Sequence, residues 1–429
     1  MQLKPHQKEI IDLAPKKFLL ALGTGSGKTA TTLHLAQGKT LVICPKQQRD
    51  DRTWEKNKEK FEIDLDLTVI TKEEFRRDHK KLPKYDTLIA DESHFATGVS
   101  TDTRIVKGVK VPKTSQIFDA IHWYIKTHNP ERFYLASATP ADKPMKVFAL
   151  GVLFGKWGMN RFFEFRDKYY WCKKVGYREM YLPRKNEELQ QKLIDIIKSL
   201  GVTGELEDWF DVPPQNHETI YVDLTEDQKR AIEQETRTEA DPNVLRGRIR
   251  GIENGVKYGI TTEKINDKEA KIVRSITYYS NNKIQEIKRI VKEKGKTIIF
   301  ACYTGQIKAI EKALKEEGIE KVLVLNGQTK PAERKIIIET AETTTHCVLI
   351  VQSSISAGWE VKSCRTMIFA SLSYLCVDFH QAMGRILRLD NLSSAYNTYY
   401  HLVVKKGIDE MCYNSIMSGN DFIEKVLAN

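Results

Sequence analysis

Two regions of the sequence alternate short β-branched runs with amphipathic helical stretches, and this alternation constrains the fold more than any other feature. The first region has such runs at 18–22, 40–44, 67–70, 87–90 and 133–136. The second has them at 297–302, 321–325, 347–351, 366–370 and 399–404. Continuous apolar runs of this length predict strands buried in a parallel sheet, and the helical stretches between them predict crossover helices. The sequence therefore predicts an α/β protein with two doubly wound parallel sheets.

The stretch between the two regions has a different composition. Residues 151–185 contain ten aromatic residues and nine basic residues, against three acidic ones. A predicted helix at 186–200 follows, and then an acidic stretch that ends in Pro213-Pro214, where neither a helix nor a central strand can continue. A second predicted helical insert covers 225–290. We therefore expect a first lobe at 1–150, a basic and aromatic insert with a linker at 151–213, the start of a second lobe with its helical insert at 214–296, and the rest of that lobe at 297–429.

The positive charge of the chain is concentrated near its N-terminus. The net charge is +11, to which residues 1–150 contribute +7, residues 151–185 contribute +6 and the remainder contributes −2. Such asymmetry favours one surface that faces a polyanion. The candidate contacts are the basic residues Arg161, Arg166, Lys168, Lys173, Lys174 and Arg178, with Trp171 or Tyr170 as the residue that stacks on bases. Arg246, Arg248 and Arg250 form a second set. Two alternatives stay open: the aromatic residues belong to the core, or the arginines lie on a solvated helix.

Several classes of protein are excluded or disfavoured by the composition. No run of about 18 apolar residues exists, which argues against a transmembrane helix and a membrane partner. The first residues lack the apolar stretch of a secretory signal. The seven cysteines are scattered without a Cys-x-x-Cys pair, which argues for reduced thiols and against a disulfide scaffold or a cysteine metal site. We therefore expect a cytoplasmic protein.

A glycine-rich turn follows the first predicted strand and precedes a predicted helix at 30–37. Its sequence runs Leu22-Gly-Thr-Gly-Ser-Gly-Lys-Thr29. Glycines allow backbone N–H groups to converge on phosphate oxygens, Lys28 supplies a positive charge, and the Thr29 hydroxyl suits Mg²⁺. Leu22 stands where the strict P-loop pattern has glycine, but the Gly-x-Gly-Lys-Thr core is intact. This turn predicts an ATP and Mg²⁺ site formed by Thr24, Gly25, Ser26, Gly27, Lys28 and Thr29.

Two carboxylates follow the predicted strand at 87–90. Asp91 and Glu92 would lie at the carboxyl edge of a parallel sheet, where ligands of such sheets bind. Asp91 is the expected Mg²⁺ partner. Glu92 is the expected group that orients and deprotonates the attacking water, because phosphoryl transfer needs mainly positioning and charge neutralisation.

These segments and four others resemble the ordered motifs of superfamily-2 helicases. The motif-like segments are Leu3–Gln7, Asp91–His94, Ser137–Pro140, Ser353–Gly358 and Gln381–Arg388. With the P-loop they run in order from residue 3 to residue 388. The resemblance implies a fold of two RecA-like doubly wound parallel-sheet lobes with mainly helical inserts.

The resemblance also implies roles for individual residues. Gln7 would read adenine, Gly358 would contact the nucleotide, and Ser137 and Thr139 would couple hydrolysis to lobe movement. Gln381, Arg385 and Arg388 would act on the nucleotide from the second lobe, the two arginines as arginine fingers.

Further stretches resemble the SWI/SNF-like branch of that superfamily. They are Phe165–Tyr170, Gly176, Asn186–Leu189 and His401–Glu410, the last lacking one threonine of the usual closing motif. The similarity is greatest to compact phage-encoded DNA helicases. It implies an ATP-dependent helicase or translocase that remodels or unwinds forked or branched DNA in phage replication, recombination or repair, in the host cytoplasm. Replication or recombination proteins are further candidate partners. The alternatives are a duplex translocase motor subunit without unwinding, and an RNA helicase.

Overall fold

The computed structural model divides the chain into two compact units, Met1–Phe210 and Asp211–Asn429. The structure describes residues 2–23, 25–138, 140–141, 143–175, 178–204, 208–209, 214–266, 269–355, 359–387 and 396–418. In this part of the chain no helix is both long and apolar enough to span a bilayer.

The first unit alternates strands and helices from its N-terminus. Its elements are α1 (Pro5–Asp12), β1 (Lys17–Leu22), α2 (Lys28–Leu35), β2 (Lys39–Cys44), α3 (Lys46–Asp50), α4 (Thr53–Lys60), β3 (Asp66–Thr71), α5 (Lys72–Asp78), β4 (Thr87–Asp91), β5 (Val99–Val106), β6 (Val109–Thr114), α6 (Gln116–His128), β7 (Arg132–Ser137), α7 (Pro144–Leu153), α8 (Phe162–Tyr169), β8 (Tyr170–Val175), β9 (Arg178–Pro183), α9 (Glu187–Lys198) and β10 (Gly201–Gly204).

Six of these strands form one sheet in the order β10-β1-β7-β4-β2-β3, and each pair is parallel. The register pairs Ala21 with Ser137 and Ala136 with Asp91. The carboxyl ends of β1, β7 and β4 therefore lie side by side at one edge, which is where a parallel sheet places its ligands.

Alternate residues along these strands pack on opposite faces of the sheet, since side chains alternate along a strand. Leu19, Leu41 and Leu88 pack with α5, α6 and α7 on one face. Leu20 and Val42 pack with α1, α2 and α4 on the other. Burial on both faces explains why the strands read as continuous apolar runs in the sequence.

The second unit has the same arrangement. Its elements are β11 (Gln215–Val222), α10 (Glu226–Thr238), α11 (Pro242–Glu253), β12 (Val256–Asn266), β13 (Glu269–Tyr278), α12 (Asn282–Lys294), β14 (Thr297–Ala301), α13 (Thr304–Glu316), β15 (Val322–Leu325), α14 (Pro331–Thr343), β16 (Val348–Gln352), β17 (Thr366–Phe369), α15 (Cys376–Met383), β18 (Asn397–Val404) and α16 (Ile408–Met417).

Its six-stranded sheet runs in the order β11-β18-β17-β14-β16-β15, again with parallel pairs throughout. Ile298 and Phe300 pack on one face, and Ile299 and Ala301 on the other. The predicted fold class, two doubly wound parallel sheets, is confirmed by this topology.

The structure corrects the sequence reading in two respects. All ten predicted runs are strands, but each sheet also has an edge strand that was not predicted, β10 and β11. The stretch 225–290, predicted to be helical, contains the antiparallel hairpin β12–β13 between its helices. Antiparallel hairpins are also formed by β5–β6 and β8–β9. These strands lack the continuous apolar run of a strand that is buried on both faces, so the sequence carried no clear signal for them.

Candidate active site

The P-loop lies between β1 and α2, at the carboxyl edge of the first sheet. Gly25 and Gly27 have φ of 88° and 84°, the left-handed region that glycine adopts without a Cβ penalty. Lys28 is the first residue of α2, and its Nζ donates to the carbonyls of Leu22 at 2.8 Å and Gly23 at 3.1 Å. The ammonium group is thus held against the backbone at the end of β1, inside the curve of the loop.

The loop fits a phosphate group. The Ser26 hydroxyl oxygen is buried without a hydrogen-bond partner among the described residues, as a group reserved for a ligand would be. The loop leads directly into the N-terminus of α2, whose first N–H groups have no partner within the helix. Thr29 lies in that first turn, while Thr24 lies outside the described residues. These features match what a triphosphate needs from the chain.

Gln7 on α1 contacts the same loop. Its amide nitrogen donates to the Gly27 carbonyl at 3.1 Å and to the Thr31 hydroxyl at 3.3 Å, and its amide oxygen accepts from the Lys4 N–H at 2.8 Å. A Cβ at residue 27 would lie 2.4 Å from that amide nitrogen. Gln7 therefore needs glycine at position 27 in order to approach the loop.

Two residues beside Gln7 were missed from the sequence. A ring nitrogen of His6, Nε2, lies 2.9 Å from the Ser26 carbonyl oxygen, and the His6 ring stacks on Trp209 with centroids 4.8 Å apart. Because His6 directly precedes Gln7, the sequence did offer a signal that His6 lies near the loop. Trp209 is distant in sequence, and no local signal relates it to the loop.

Asp91 is buried at the end of β4, on the edge that carries the P-loop. Burial and then the negative charge of Glu92 raise the pKa of Asp91 to about 6, while the Lys28 ammonium acts in the opposite direction. The Gln48 side chain also hydrogen bonds to this carboxylate, and its Oε1 accepts from the Trp54 indole at 3.1 Å. Gln48 was not predicted, although α3 follows β2 at the same edge. The Asp91 carboxylate, at the same edge as the Lys28 ammonium and the P-loop, is suited to hold Mg²⁺.

Glu92 leaves the strand in a left-handed conformation with φ of 54°, which is uncommon for a residue with a side chain. Its carboxylate is half-buried, and Oε2 lies 3.6 Å from Nδ1 of His94. Because the backbone turns at Glu92, its side chain leaves the strand in a different direction from that of Asp91. The two adjacent carboxylates can therefore serve different roles, Asp91 as a metal ligand and Glu92 as a base. Ser137 ends β7 between β1 and β4 and is fully buried, whereas Thr139 lies outside the described residues.

The motif-like segments of the second unit are connected by Arg385. This residue is buried, and its Nε donates to the Gln381 carbonyl at 2.8 Å. Its Nη1 donates to the Trp359 carbonyl at 2.7 Å, just after residues 356–358. The turn that carries Arg385 is therefore tied to the chain that follows the Ser353–Ile355 turn. Gly358 and Arg388 lie outside the described residues.

Residues 282–390 match the helicase conserved C-terminal domain. The match runs from α12 past α15 and includes Gln381, Arg385 and Arg388. No curated protein matches the sequence. A solved structure of the Sulfolobus solfataricus SWI2/SNF2 ATPase core in complex with dsDNA is 16% identical, over 99% of this chain and 95% of that chain, with a TM-score of 0.39. A TM-score of this size does not establish a shared fold, so the fold assignment depends on the strand order described above.

The basic and aromatic segment belongs to the first unit and is largely packed against its core. Phe162, Tyr169 and Tyr170 are buried, and the Tyr170 hydroxyl accepts from the Met145 N–H at 3.0 Å. Arg166 is only 7% exposed, with its guanidinium 4.0 Å from the Tyr181 ring centroid. Arg166 as a DNA contact and Tyr170 as a stacking residue are therefore wrong, because neither side chain reaches the surface.

Other members of this set remain at the surface. Arg161 is exposed and pairs with Glu164 at 2.6 Å. Lys168, Trp171 and Lys174 are exposed, and Lys173 is half-buried. The residues beyond it lead into 176–177, which lie outside the described residues, as does the side chain of Arg178. A cationic patch around β8 thus remains available for phosphate contacts.

The second predicted set lies on α11, and the three arginines differ in their surroundings. Arg246 is half-buried. Arg248 pairs with Glu235 at 3.0 Å and Glu239 at 2.9 Å. Arg250 is 1% exposed, so the prediction that it contacts DNA is wrong.

Proposed function

We propose that this chain is an ATP-dependent DNA helicase or translocase that hydrolyses ATP to move on forked or branched DNA. The observation that carries the proposal is the meeting of Lys28 with Asp91 and Glu92 at one edge of the parallel sheet. The match of the second unit to a helicase C-terminal domain supports a nucleic-acid motor over other P-loop enzymes.

In this proposal the first unit supplies the groups for hydrolysis. The glycines and Lys28 bind the phosphates, and Thr29 and Asp91 hold Mg²⁺, which when bound neutralises charge on the phosphoryl oxygens. Glu92 orients the attacking water and accepts its proton. A cation bound beside Asp91 would lower its raised pKa and further favour the carboxylate form, which is the form that binds Mg²⁺.

The second unit supplies the remaining proposed groups. Gln381, Arg385 and Arg388 stabilise the charge that develops on the γ-phosphoryl oxygens, as guanidinium groups do in other phosphoryl-transfer enzymes. Gly358 contacts the nucleotide, and Gln7 recognises adenine. Ser137 and Thr139 couple hydrolysis to lobe movement. Two carbonyls accept from Arg385 and fix the position of its guanidinium within the second unit.

DNA is the proposed polyanion because the cationic patch is concentrated in the first unit and lies beside the exposed Trp171. Contacts to backbone phosphates would make binding weakly dependent on sequence and steeply dependent on salt. A role in phage replication, recombination or repair, in the host cytoplasm, follows from the resemblance to compact phage enzymes.

The first test is steady-state ATP hydrolysis with no nucleic acid, single-stranded DNA, duplex DNA, forked DNA and RNA. Lys28→Ala serves as the negative control. Stimulation by forked or branched DNA above the other substrates is expected. Equal stimulation by plain duplex would instead indicate a translocase that opens nothing, and stimulation by RNA alone would assign an RNA helicase.

The second test concerns Glu92. Glu92→Gln should abolish hydrolysis while ATP binding is retained, because the amide keeps the size of the side chain but cannot accept the proton. Glu73→Gln, at an exposed carboxylate on α5, is the matched control and should keep full activity. Appreciable turnover by purified Glu92→Gln would remove Glu92 from its role as general base.

A third test concerns the cationic patch. Lys173→Ala combined with Lys174→Ala should weaken forked-DNA binding and lower the slope of log affinity against log salt by roughly 1–2, since each phosphate contact contributes about 0.7–0.9. Basal ATP hydrolysis should persist. If affinity and slope are unchanged, β8 does not bind DNA.

A further inference from the structure

The β5–β6 hairpin extends from the first unit as a two-stranded sheet separate from the central one. Its strands pair from Thr103 with Pro112 to Val106 with Val109, which leaves a loop of two residues. These are Lys107 and Gly108, with φ of 51° and 78°. Two consecutive positive φ angles characterise the type I′ turn, whose twist matches that of the strands. The hairpin therefore ends in a tight turn.

The end of this arm is apolar. Ile105 is 77% exposed and Val109 is 62% exposed, and Val106 between them is also exposed. Single apolar residues at a surface need no explanation, but three at the tip of one hairpin indicate a contact surface.

Cations flank the apolar tip. Residues 99–114 include Arg104, Lys107, Lys110 and Lys113 but a single acidic residue, Asp102. Lys113 lies 3.7 Å from Asp102, whereas the other three cations have no carboxylate of the described residues within ion-pair distance. Burying such cations in a protein interface would be costly without matching carboxylates, while phosphates pair with them readily. Charge complementarity thus favours a polyanion, and for a protein proposed to move on DNA that polyanion is nucleic acid.

A groove of about 430 Å³ lies where the hairpin meets α6 and the start of α8. Val111 lines it from the hairpin, and Phe118, His122 and Phe163 line it from the helices. Arg104 and Lys110 are also among its lining residues, with one carboxylate, that of Asp119. A mainly apolar groove bordered by cations suits an unstacked base with its phosphate.

The base of the hairpin is connected to the nucleotide edge of the sheet. The turn Ser93–Thr97 joins Asp91 and Glu92 to β5. At the base, the Ser115 N–H donates to the Gly98 carbonyl at 2.7 Å. A Cβ on Gly98 would lie 2.2 Å from the Ser115 hydroxyl oxygen, so the two strands meet too closely for a side chain there. The hairpin is therefore joined to Glu92 by a short segment and closed at its base by a close contact between Gly98 and Ser115.

We infer that the β5–β6 hairpin separates strands at a DNA junction: its apolar tip packs against the terminal base pair, and its cations and the adjoining groove receive the displaced strand. This inference rests on the proposed function and adds strand separation to it, which the motor motifs alone do not imply. Apolar side chains that wedge between base pairs are an established means of unstacking them.

The test compares strand displacement with ATP hydrolysis on one forked duplex. Ile105→Ser combined with Val109→Ser should reduce the rate of strand displacement by about tenfold or more, because polar tip residues no longer stabilise the unstacked junction. DNA-stimulated ATP hydrolysis should stay within about twofold, since the phosphate contacts are intact. Ile336→Ser, at a residue of α14 that is 63% exposed, is the matched control and should displace strands normally.

A second variant tests the cations. Lys107→Ala combined with Lys110→Ala should lower the salt dependence of single-strand binding by a slope of about 1.4, from two phosphate contacts at about 0.7 each. An unchanged slope would contradict the assignment of the displaced strand to this surface.

The remaining results distinguish failure of the inference from failure of the proposed function. If the Ile105 and Val109 variant displaces strands normally, the hairpin is not the separating element. If hydrolysis falls in parallel with displacement, the hairpin belongs to the translocation track, and the inference is likewise overturned. If the wild-type protein hydrolyses ATP on forks but displaces no strand, the inference fails and the motor assignment stands. If no nucleic acid stimulates hydrolysis, it is the proposed function that fails.

Discussion

Arg250 provides a sharp test of the structure, because the sequence and the fold assign it different roles. In the sequence it is one of three arginines that could contact DNA. In the fold its guanidinium donates to the Leu372 carbonyl and lies 4.2 Å from the ring centroid of Tyr374. Its Nε is also 3.8 Å from Oδ1 of Asp409. We predict that Arg250→Ala destabilises the second unit and leaves the phosphate contacts of the protein unchanged.

The magnitude follows from what remains after the substitution. Removing one member of a buried ion pair costs roughly 3–5 kcal/mol. Asp409 keeps Lys283, whose Nζ lies 2.7 Å from Oδ2 and also donates to Asn254 and to the Ala370 carbonyl. The cost should therefore lie near the lower limit, about 3 kcal/mol, which lowers the Tm of a unit of this size by roughly 6–12 °C.

Arg248→Ala is the matched control on the same helix. Arg248 is 40% exposed and pairs with Glu235 and Glu239, so its loss should cost about 1 kcal/mol or less. Differential scanning calorimetry of both variants measures the melting of the second unit, and DNA binding across a salt series measures the phosphate contacts. A normal Tm for Arg250→Ala together with a salt slope reduced by about 0.9 would refute the reasoning, since that pair of results describes an exposed phosphate contact.

Two other substitutions test the site and the second core. Gly27→Ala should raise the KM for ATP by about tenfold, because the new Cβ displaces the Gln7 amide; Gly155→Ala, also at positive φ but in open space, should leave the KM unchanged, and equal KM values for the two variants would contradict this reasoning. Burial and the negative charge of Asp409 raise the pKa of Glu253 to about 7, so between pH 4.5 and 7 the unfolded chain loses this proton first and stability falls as pH rises. Glu253→Gln should remove that decline, which is at most ~3 kcal/mol. Urea unfolding measures the free energy of unfolding of both proteins from about pH 5 to 8, and parallel plots of that free energy against pH would contradict the prediction.

Much of the fold was readable from the sequence because its main signals are local. Strands buried on both faces of a sheet must be apolar throughout, so each of the ten strands could be recognised from a continuous apolar run of a few residues. The edge strands β10 and β11 and the three hairpins lack such runs: β10 and β11 pair with strands that are distant in sequence, and each hairpin pairs only with itself, outside the central sheets. Their prediction would have required the register, which single-sequence periodicity does not contain.

The candidate site shows the same division. Lys28, Asp91 and Glu92 were found because a P-loop and an acidic strand end are short motifs with a chemical reason for each residue. Gln48, His6 and Trp209 were not, because strand order brings Gln48 to Asp91, and the fold brings His6 to the loop and Trp209 onto the His6 ring.

The sequence by itself determined the two parallel sheets and the residues that carry phosphate chemistry. The tertiary structure alone decided which charged residues face solvent. Arg250 and Lys283 are interior because Asp409, distant along the chain, is brought between them. Likewise, Arg166 is covered by the ring of Tyr181. The physical reason is that a motif depends on neighbours along the chain, whereas the desolvation of a charge depends on every group the fold brings around it.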